Sequence, residues 1–167
     1  MKRLRWICFS LLAIATGACS HDDPKDFRDA ATGNYNYTSQ LYVVDGASLA
    51  SLGDYGMTTG NFVLEKNDSG IQVKQNNKVQ FVGTHVTQAT NGFTFSIESQ
   101  SFTSDGGIFT INGYNHVTFT VSGVAAKYHG GYLSPEKRLE AWFTFVTTDP
   151  DTGLTLTYAA SIIGVKV

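Results

Sequence analysis

Apolar and polar residues alternate along most of this chain. Tyr35, Tyr37, Ser39, Leu41 and Val43 share one phase, with Asn34, Asn36, Thr38 and Gln40 in the other. The pattern returns as Phe93, Phe95 and Ile97 against Thr94, Ser96 and Glu98, and as Val117, Phe119 and Val121 against Thr118, Thr120 and Ser122. It continues through Leu139, Ala141, Phe143 and Phe145 against Glu140, Trp142 and Thr144, and closes with Leu154, Leu156, Tyr158 and Ala160 against Thr155 and Thr157. Weaker versions cover 61–66, 71–75 and 79–88. A period of two with one apolar face predicts antiparallel strands that bury one side. Phe95, Phe119 and Phe143, in the apolar phases of three strong runs, are expected in the core.

Turn residues separate these runs: Asp45-Gly46, Asp54-Tyr55-Gly56, Asn67-Asp68-Ser69-Gly70, Asn76-Asn77, Asn91-Gly92, Asp105-Gly106-Gly107, Asn112-Gly113 and the Asp149–Gly153 stretch. Such short connections predict hairpins between sequential neighbours. No segment has a helical period, though Ala47 to Leu52 is long enough for one helical turn. The fold class is therefore all-β, an antiparallel up-and-down meander of eight or nine strands, depending on Ile108–Asn112. A closed barrel removes the exposed edges of long strands and is the favoured architecture; a β-sandwich is the alternative.

The first residues change the picture of where this meander works. Met1-Lys2-Arg3-Leu4-Arg5 is a cationic start, and Trp6 to Ala15 is an apolar run too short to span a bilayer. Small residues and Cys19 follow. The order predicts an export signal over residues 1–18. Gly17-Ala18-Cys19 resembles a bacterial lipobox, which implies that Cys19 is lipidated; a plain signal peptide cut after Ala18 is the alternative. Ser20-His21-Asp22-Asp23-Pro24 resembles the acidic export tag of surface lipoproteins in Bacteroidetes-type bacteria. Residues 19–32, polar and acidic, read as a tether, and 33–167 as one domain. The predicted location is the outer membrane, at the cell surface. Cys8 leaves with the signal, so an acylated Cys19 leaves no thiol for a disulfide, a zinc site or a nucleophile.

Removing Lys2, Arg3 and Arg5 leaves nine basic against fourteen acidic side chains, a formal −5. Nucleic acid is excluded as a partner on that balance. Prolines stand only at Pro24, Pro135 and Pro150, which keeps the strand interiors free of breakers.

Gly33-Asn34-Tyr35 opens the first strand much as Gly-x-Trp opens a lipocalin, and Ile163-Gly164-Val165-Lys166 ends the last. With the lipobox, the chain resembles the calycin-like, lipocalin-like barrel lipoproteins of Bacteroidetes-type bacteria. The resemblance implies a barrel that binds a small apolar ligand inside, without catalysis. The second reading is a glycan-binding or protein-interaction accessory module of an envelope complex.

Candidate chemistry is sparse. His21, His85, His116 and His129 have no metal-ligand spacing. Asp149-Pro150-Asp151-Thr152-Gly153 lacks the distal glutamate of a calcium loop and reads as a hairpin turn. Glu65, Glu98, Glu136 and Glu140 form no evident catalytic pair, and no serine sits in a nucleophile elbow. No enzyme, metal or cofactor is expected. Aromatics are the better candidates. Trp142 lies in the polar phase, opposite Phe143, and is expected to point outward, either under partial cover from neighbouring long side chains or as a contact surface for a sugar or a partner. Tyr128-His129-Gly130-Gly131-Tyr132 reads as a loop with an exposed histidine, whose glycines allow mobility or a tight turn and whose tyrosines either pack as in an ordinary loop or line a mouth. A nine-strand count puts that loop at the same end as Tyr55, and predicts binding by Tyr55, Tyr128 and Tyr132; an eight-strand count separates them.

Overall fold

The structure is a computed structural model that describes residues 25–104, 107–148 and 152–167. The export signal, Cys19 and the acidic pair Asp22-Asp23 lie outside the described residues, as do Asp105, Gly106 and Asp149–Asp151. Among the described residues, regular structure is β apart from two short 3-10 helices, Phe27–Ala30 and Gly53–Gly56. The strands are β1 (Gly33–Asp45), β2 (Ser48–Ser51), β3 (Met57–Lys66), β4 (Ile71–Gln75), β5 (Lys78–Ala89), β6 (Gly92–Ser96) and β7 (Gln100–Ser104). They continue as β8 (Gly107–Gly113), β9 (Val117–Val121), β10 (Val124–Tyr128), β11 (Gly130–Leu133), β12 (Arg138–Thr148) and β13 (Thr155–Lys166).

Every ladder is antiparallel, and eight strands form a ring. The order runs β1, β3, β4, β5, β6, β11, β12, β13, and β13 pairs back onto β1 with Tyr35 opposite Lys166 and Val43 opposite Tyr158. A round barrel and a flattened sandwich share this ring. Its turns carry the residues their geometry needs. Asn76 and Asn77 both take left-handed backbone (φ 50° and 61°) between β4 and β5, which asparagine tolerates and which matches the twist of a two-residue hairpin.

Ile108–Asn112 is a strand after all, yet the ring count stays at eight. β11 pairs with β12 at Arg138–Ala141, and β8 pairs with the same edge of β12 further on, at Phe143–Phe145. β8 and β11 thus share one ring position, interrupted by the β9–β10 hairpin. On their other side, β6 faces β11 and β7 faces β8. Between the first half of β5 and β7 no ladder forms. There the Gln100 side chain stands in for a strand: its Oε1 accepts from Val82 N–H at 2.7 Å and its Nε2 donates to Val82 C=O at 3.0 Å.

The alternation does fix which side chains point inward. Tyr35, Phe62, Leu64, Ile71, Val73, Phe81, Phe93, Phe95, Tyr132, Leu139 and Ala141 form one buried core inside the ring. A second, smaller cluster sits outside it. Val117 and Phe119, from the β9–β10 hairpin, cover Trp142 on the outer face of β12. Of the three expected core phenylalanines, Phe95 is in the interior, Phe119 is buried in the outer cluster, and Phe143 is half-buried beside a cavity.

Three local expectations are corrected. Ala47–Leu52 is not a helical turn: β2 continues the ladder along Tyr42–Asp45, an edge that β3 leaves free, and the 3-10 helix starts only at Gly53. Residues 128–132 are not a loop, because β11 fills the ring position between β6 and β12. The packed domain also begins before Gly33: Ala31 is fully buried, and the 3-10 helix at Phe27–Ala30 is bonded across the end of the ring where β1 starts.

Candidate functional site

The two ends of the ring differ. At the end where β1 begins, the Phe27–Ala30 helix acts as a plug. Arg28 donates to the carbonyls of Asn67 (3.1 Å) and Gly70 (2.8 Å) in the β3–β4 turn while pairing with Asp26 at 2.7 Å. Lys66 pairs with Asp26 and Asp29. The carbonyl of Ala30 accepts from Tyr132 Oη (3.1 Å) and Lys166 Nζ (2.9 Å), and the carbonyl of Ala31 accepts from Tyr35 Oη. The Arg28 hydrogen bonds hold the Asp26 carboxyl well below the usual carboxylate range. Burial pushes the hydroxyls of Tyr35 and Tyr132 upward, so both stay protonated donors.

At the other end lies a cavity of about 200 Å3. Its wall is mostly apolar: Leu41, Phe62, Val73, Phe81, Phe143, Phe145, Ala160 and Ile162. The polar side chains on it are Tyr37, Ser39, Gln75 and Gln80, and Gln75 Nε2 donates to Tyr37 Oη at 3.2 Å. The cavity exists because inward positions shrink along two neighbouring strands. β1 presents Tyr35, then Tyr37, then Ser39; β13 presents Ala160 opposite Leu41. An apolar cavity of about 150 Å3 takes up benzene, so this one admits one or two rings. It is below the roughly 300 Å3 at which drug-sized pockets begin. Among the described residues its wall carries no carboxylate, imidazole or amine.

The tyrosines singled out in the sequence do not converge. Tyr55, in the Gly53–Gly56 helix, is fully exposed on the connection between β1 and β3, at the cavity end. Tyr132 is buried at the plugged end, with its hydroxyl on Ala30. Tyr128 ends β10 and packs on the outer cluster. The separation follows from the ring count of eight.

Trp142 does point outward, but it is only 6% exposed. His116 lies tilted against it with ring centroids 3.9 Å apart, Tyr42 stacks on it at 5.2 Å, and its Nε1 donates to Glu140 Oε1 at 3.0 Å. An inserted hairpin, absent from the alternation rule, converts an outward position into a covered one. No open aromatic platform remains there.

Gly130 and Gly131 do not loosen the chain. A Cβ on Gly130 would lie 2.4 Å from the Phe95 ring inside the ring of strands, and one on Gly131 would lie 2.4 Å from Phe119 outside it. Each glycine lets a phenylalanine lie flat on the strand. His129 is half-buried rather than exposed: its Nδ1 accepts from Ile97 N–H at 2.8 Å. His85 pairs with Glu98 on the surface. The other carboxylates are also held locally, Glu65 by Lys74 and Gln72, Glu136 by Arg138. Among the described residues, no group of three His, Cys, Asp or Glu gathers closely enough to hold a metal ion.

Ser39, Gln75, Gln80 and Ala160 were missed by sequence reasoning. For Ser39, Gln75 and Ala160 the available signal was a small or polar residue in an inward phase otherwise filled by large apolar side chains; Gln80 sits at a β-bulge beside the inward Phe81 and carried no such signal. No family model, curated protein or solved structure matches this chain.

Proposed function

We propose that this protein is a lipid-anchored envelope protein that binds a small, mostly apolar ligand in the cavity of its ring, without catalysis. One observation carries the reading: an apolar hollow of about 200 Å3 lies inside an otherwise well-packed β ring. The hollow is half open to solvent, so a ligand can enter it and lose most of its contact with water there. Apolar walls supply affinity, and Ser39, Gln75 and Gln80 supply polar contacts that orient a ligand. The lipobox at Cys19 supports the anchor. Seven residues from Cys19 to Asp26 span at most ~25 Å when extended. A lipidated Cys19 would hold the plugged end near the bilayer and leave the cavity end toward the medium.

The fluorophore 1-aminonaphthalene, a two-ring apolar probe, tests the cavity. Saturable binding with enhanced emission is expected. Ala160→Leu, which puts three more carbons into the hollow, should weaken it tenfold or more, and Tyr55→Ala should leave it unchanged. Absence of saturable binding, or equal binding by Ala160→Leu, overturns the reading. Cys19→Ala should move the protein out of the membrane fraction or leave it as an unprocessed precursor; wild-type fractionation and migration would remove the anchor.

A further inference from the structure

The interruption of one ring position by the β9–β10 hairpin leaves a fork in the ring, between the strands β5 and β12 that carry Phe81, Phe143 and Phe145 into the cavity. Below the fork the ring runs β6–β11–β12; above it, β7–β8–β12. At the fork itself four bonds stitch the strands together. Gly113 N–H donates to Ile97 C=O at 3.0 Å, Ile97 N–H donates to His129 Nδ1 at 2.8 Å, Trp142 N–H donates to His129 C=O at 2.7 Å, and Tyr114 N–H donates to Trp142 C=O at 3.0 Å. Three of the four acceptors are backbone carbonyls. The fourth is an imidazole nitrogen, standing where the interrupted strand offers no carbonyl. Gly113 leaves the room for it: a Cβ there would lie 2.1 Å from His129 Nδ1.

The root of the β7–β8 hairpin therefore depends on a titratable acceptor. A neutral imidazole has one acceptor nitrogen, and an imidazolium has none. Above the fork the hairpin is held by Ile111, which is buried in the core, and by few strand pairings. β8 pairs with β12 only at Phe143–Phe145, and β7 reaches β5 through the Gln100 side chain. Phe81, Phe143 and Phe145, on the two strands that flank the hairpin, line the cavity.

We propose that His129 is an acid-sensitive latch beside the cavity: a proton taken up from solvent at Nδ1 breaks the bond from Ile97 and loosens the β7–β8 hairpin, which frees the flanking strands that carry Phe81, Phe143 and Phe145 and so releases the ligand. The proposal rests on the cavity being the binding site. Burial holds the His129 pKa below the ordinary 6.5. The folded state thus binds fewer protons than the unfolded one, and the stabilisation is complete above about pH 6.5 and lost as pH falls below it. Other titratable groups stand on the packed elements. Glu98, on the link between β6 and β7, pairs with His85; Glu140 of β12 accepts from the Trp142 indole; His116 lies tilted against Trp142. Lys127 and Tyr128 precede His129 on β10, and Tyr114 follows Gly113.

His129→Asn separates these groups from the latch. Its Oδ1 takes the place of Nδ1 as acceptor and gains no proton between pH 7.5 and 5. In wild type, 1-aminonaphthalene affinity should fall at least fivefold over that range. Ile97 and Gly113 amide exchange should accelerate at least tenfold over the intrinsic change. His129→Asn should remove both dependences while binding as wild type does at pH 7.5. An equal loss in both proteins, or no loss in wild type, overturns the latch. If wild type binds no probe at any pH, the ligand reading fails, and amide exchange at Ile97 still decides the latch. If His129→Asn does not fold, the ring 15N shifts of wild-type His129 decide it. Nδ1 must be the lone-pair nitrogen at pH 7.5 and become protonated on acidification. An Nδ1–H tautomer at pH 7.5 overturns the proposal.

Discussion

The plugged end and the cavity end are built from the same strands with the same alternation, and they differ in the size of what points inward. Toward the plugged end Tyr35 stacks at 4.9 Å on Phe62, the ring where packed core and cavity wall meet, and Phe93 packs against Tyr132 at 5.6 Å, and all four are buried. At the other end Ser39 and Ala160 take the inward positions of β1 and β13, and Phe81 faces Phe143 at 6.3 Å across the interior. Binary pattern decides that a ring forms. Side-chain volume at a few inward positions decides whether it is solid or hollow.

The contrast breaks most easily at phenylalanine. Phe95→Ala, which empties a fully buried site, should cost ~3–5 kcal/mol in denaturant unfolding. Phe143→Ala, already beside a void and half-buried, should cost less than half of that. Equal losses would mean that the interior is uniformly packed. Next comes Gly130→Ala. Its methyl meets Phe95 and the Glu140 carbonyl, the latter at 2.6 Å. A cost of ~1–3 kcal/mol is expected from overpacking, and a neutral result would return residues 128–132 to the status of a loose loop.

What the sequence made legible is the inward face of each strong strand, since strand alternation is local. β12 shows it: Leu139 and Ala141 are buried inside the ring, and Phe143 and Phe145 line its cavity. Contacts made by a segment from elsewhere in the chain were not legible. Trp142 is outward by alternation and buried by the β9–β10 hairpin, whose Ser122-Gly123 turn, with φ 50° and 81°, carries its own signal. Gly130-Gly131 looks like any flexible pair until the rings of Phe95 and Phe119 are placed on it. Phe27–Ala31 looks like tether because its partners, Asn67, Gly70, Tyr132 and Lys166, are distant in sequence.

At the cavity end, enlargement should have the opposite sign. Ala160→Leu, which weakens probe binding, should stabilise the unliganded protein by ~0.5–2 kcal/mol as cavity-filling changes do. Destabilisation there as large as at Gly130 would erase the distinction between the two ends. The smallest effect belongs to the plug. Asp26 is held ionised by Arg28, so its contribution is present above about pH 4 and is lost as pH falls through its depressed value. Asp26→Asn should cost ~0.5–1 kcal/mol at pH 7, in line with partly exposed ion pairs. The gap from wild type should narrow steadily below pH 4. A gap that stays constant down to pH 2 would show that the plug is held without that charge.

The ladder between β1 and β13 joins the first strand of the domain to its last, and Val167 N–H donates to Asn34 C=O. Such pairing raises the contact order, because a loop of nearly the whole chain must close before the two edges meet. Nothing emerging early from the ribosome can complete the ring. Loss of β13 would bare one edge of β1 and one of β12 together, and open edges recruit other strands. Truncation before β13 should therefore yield aggregates rather than a smaller folded domain, and β13 is the element that lets the fold close.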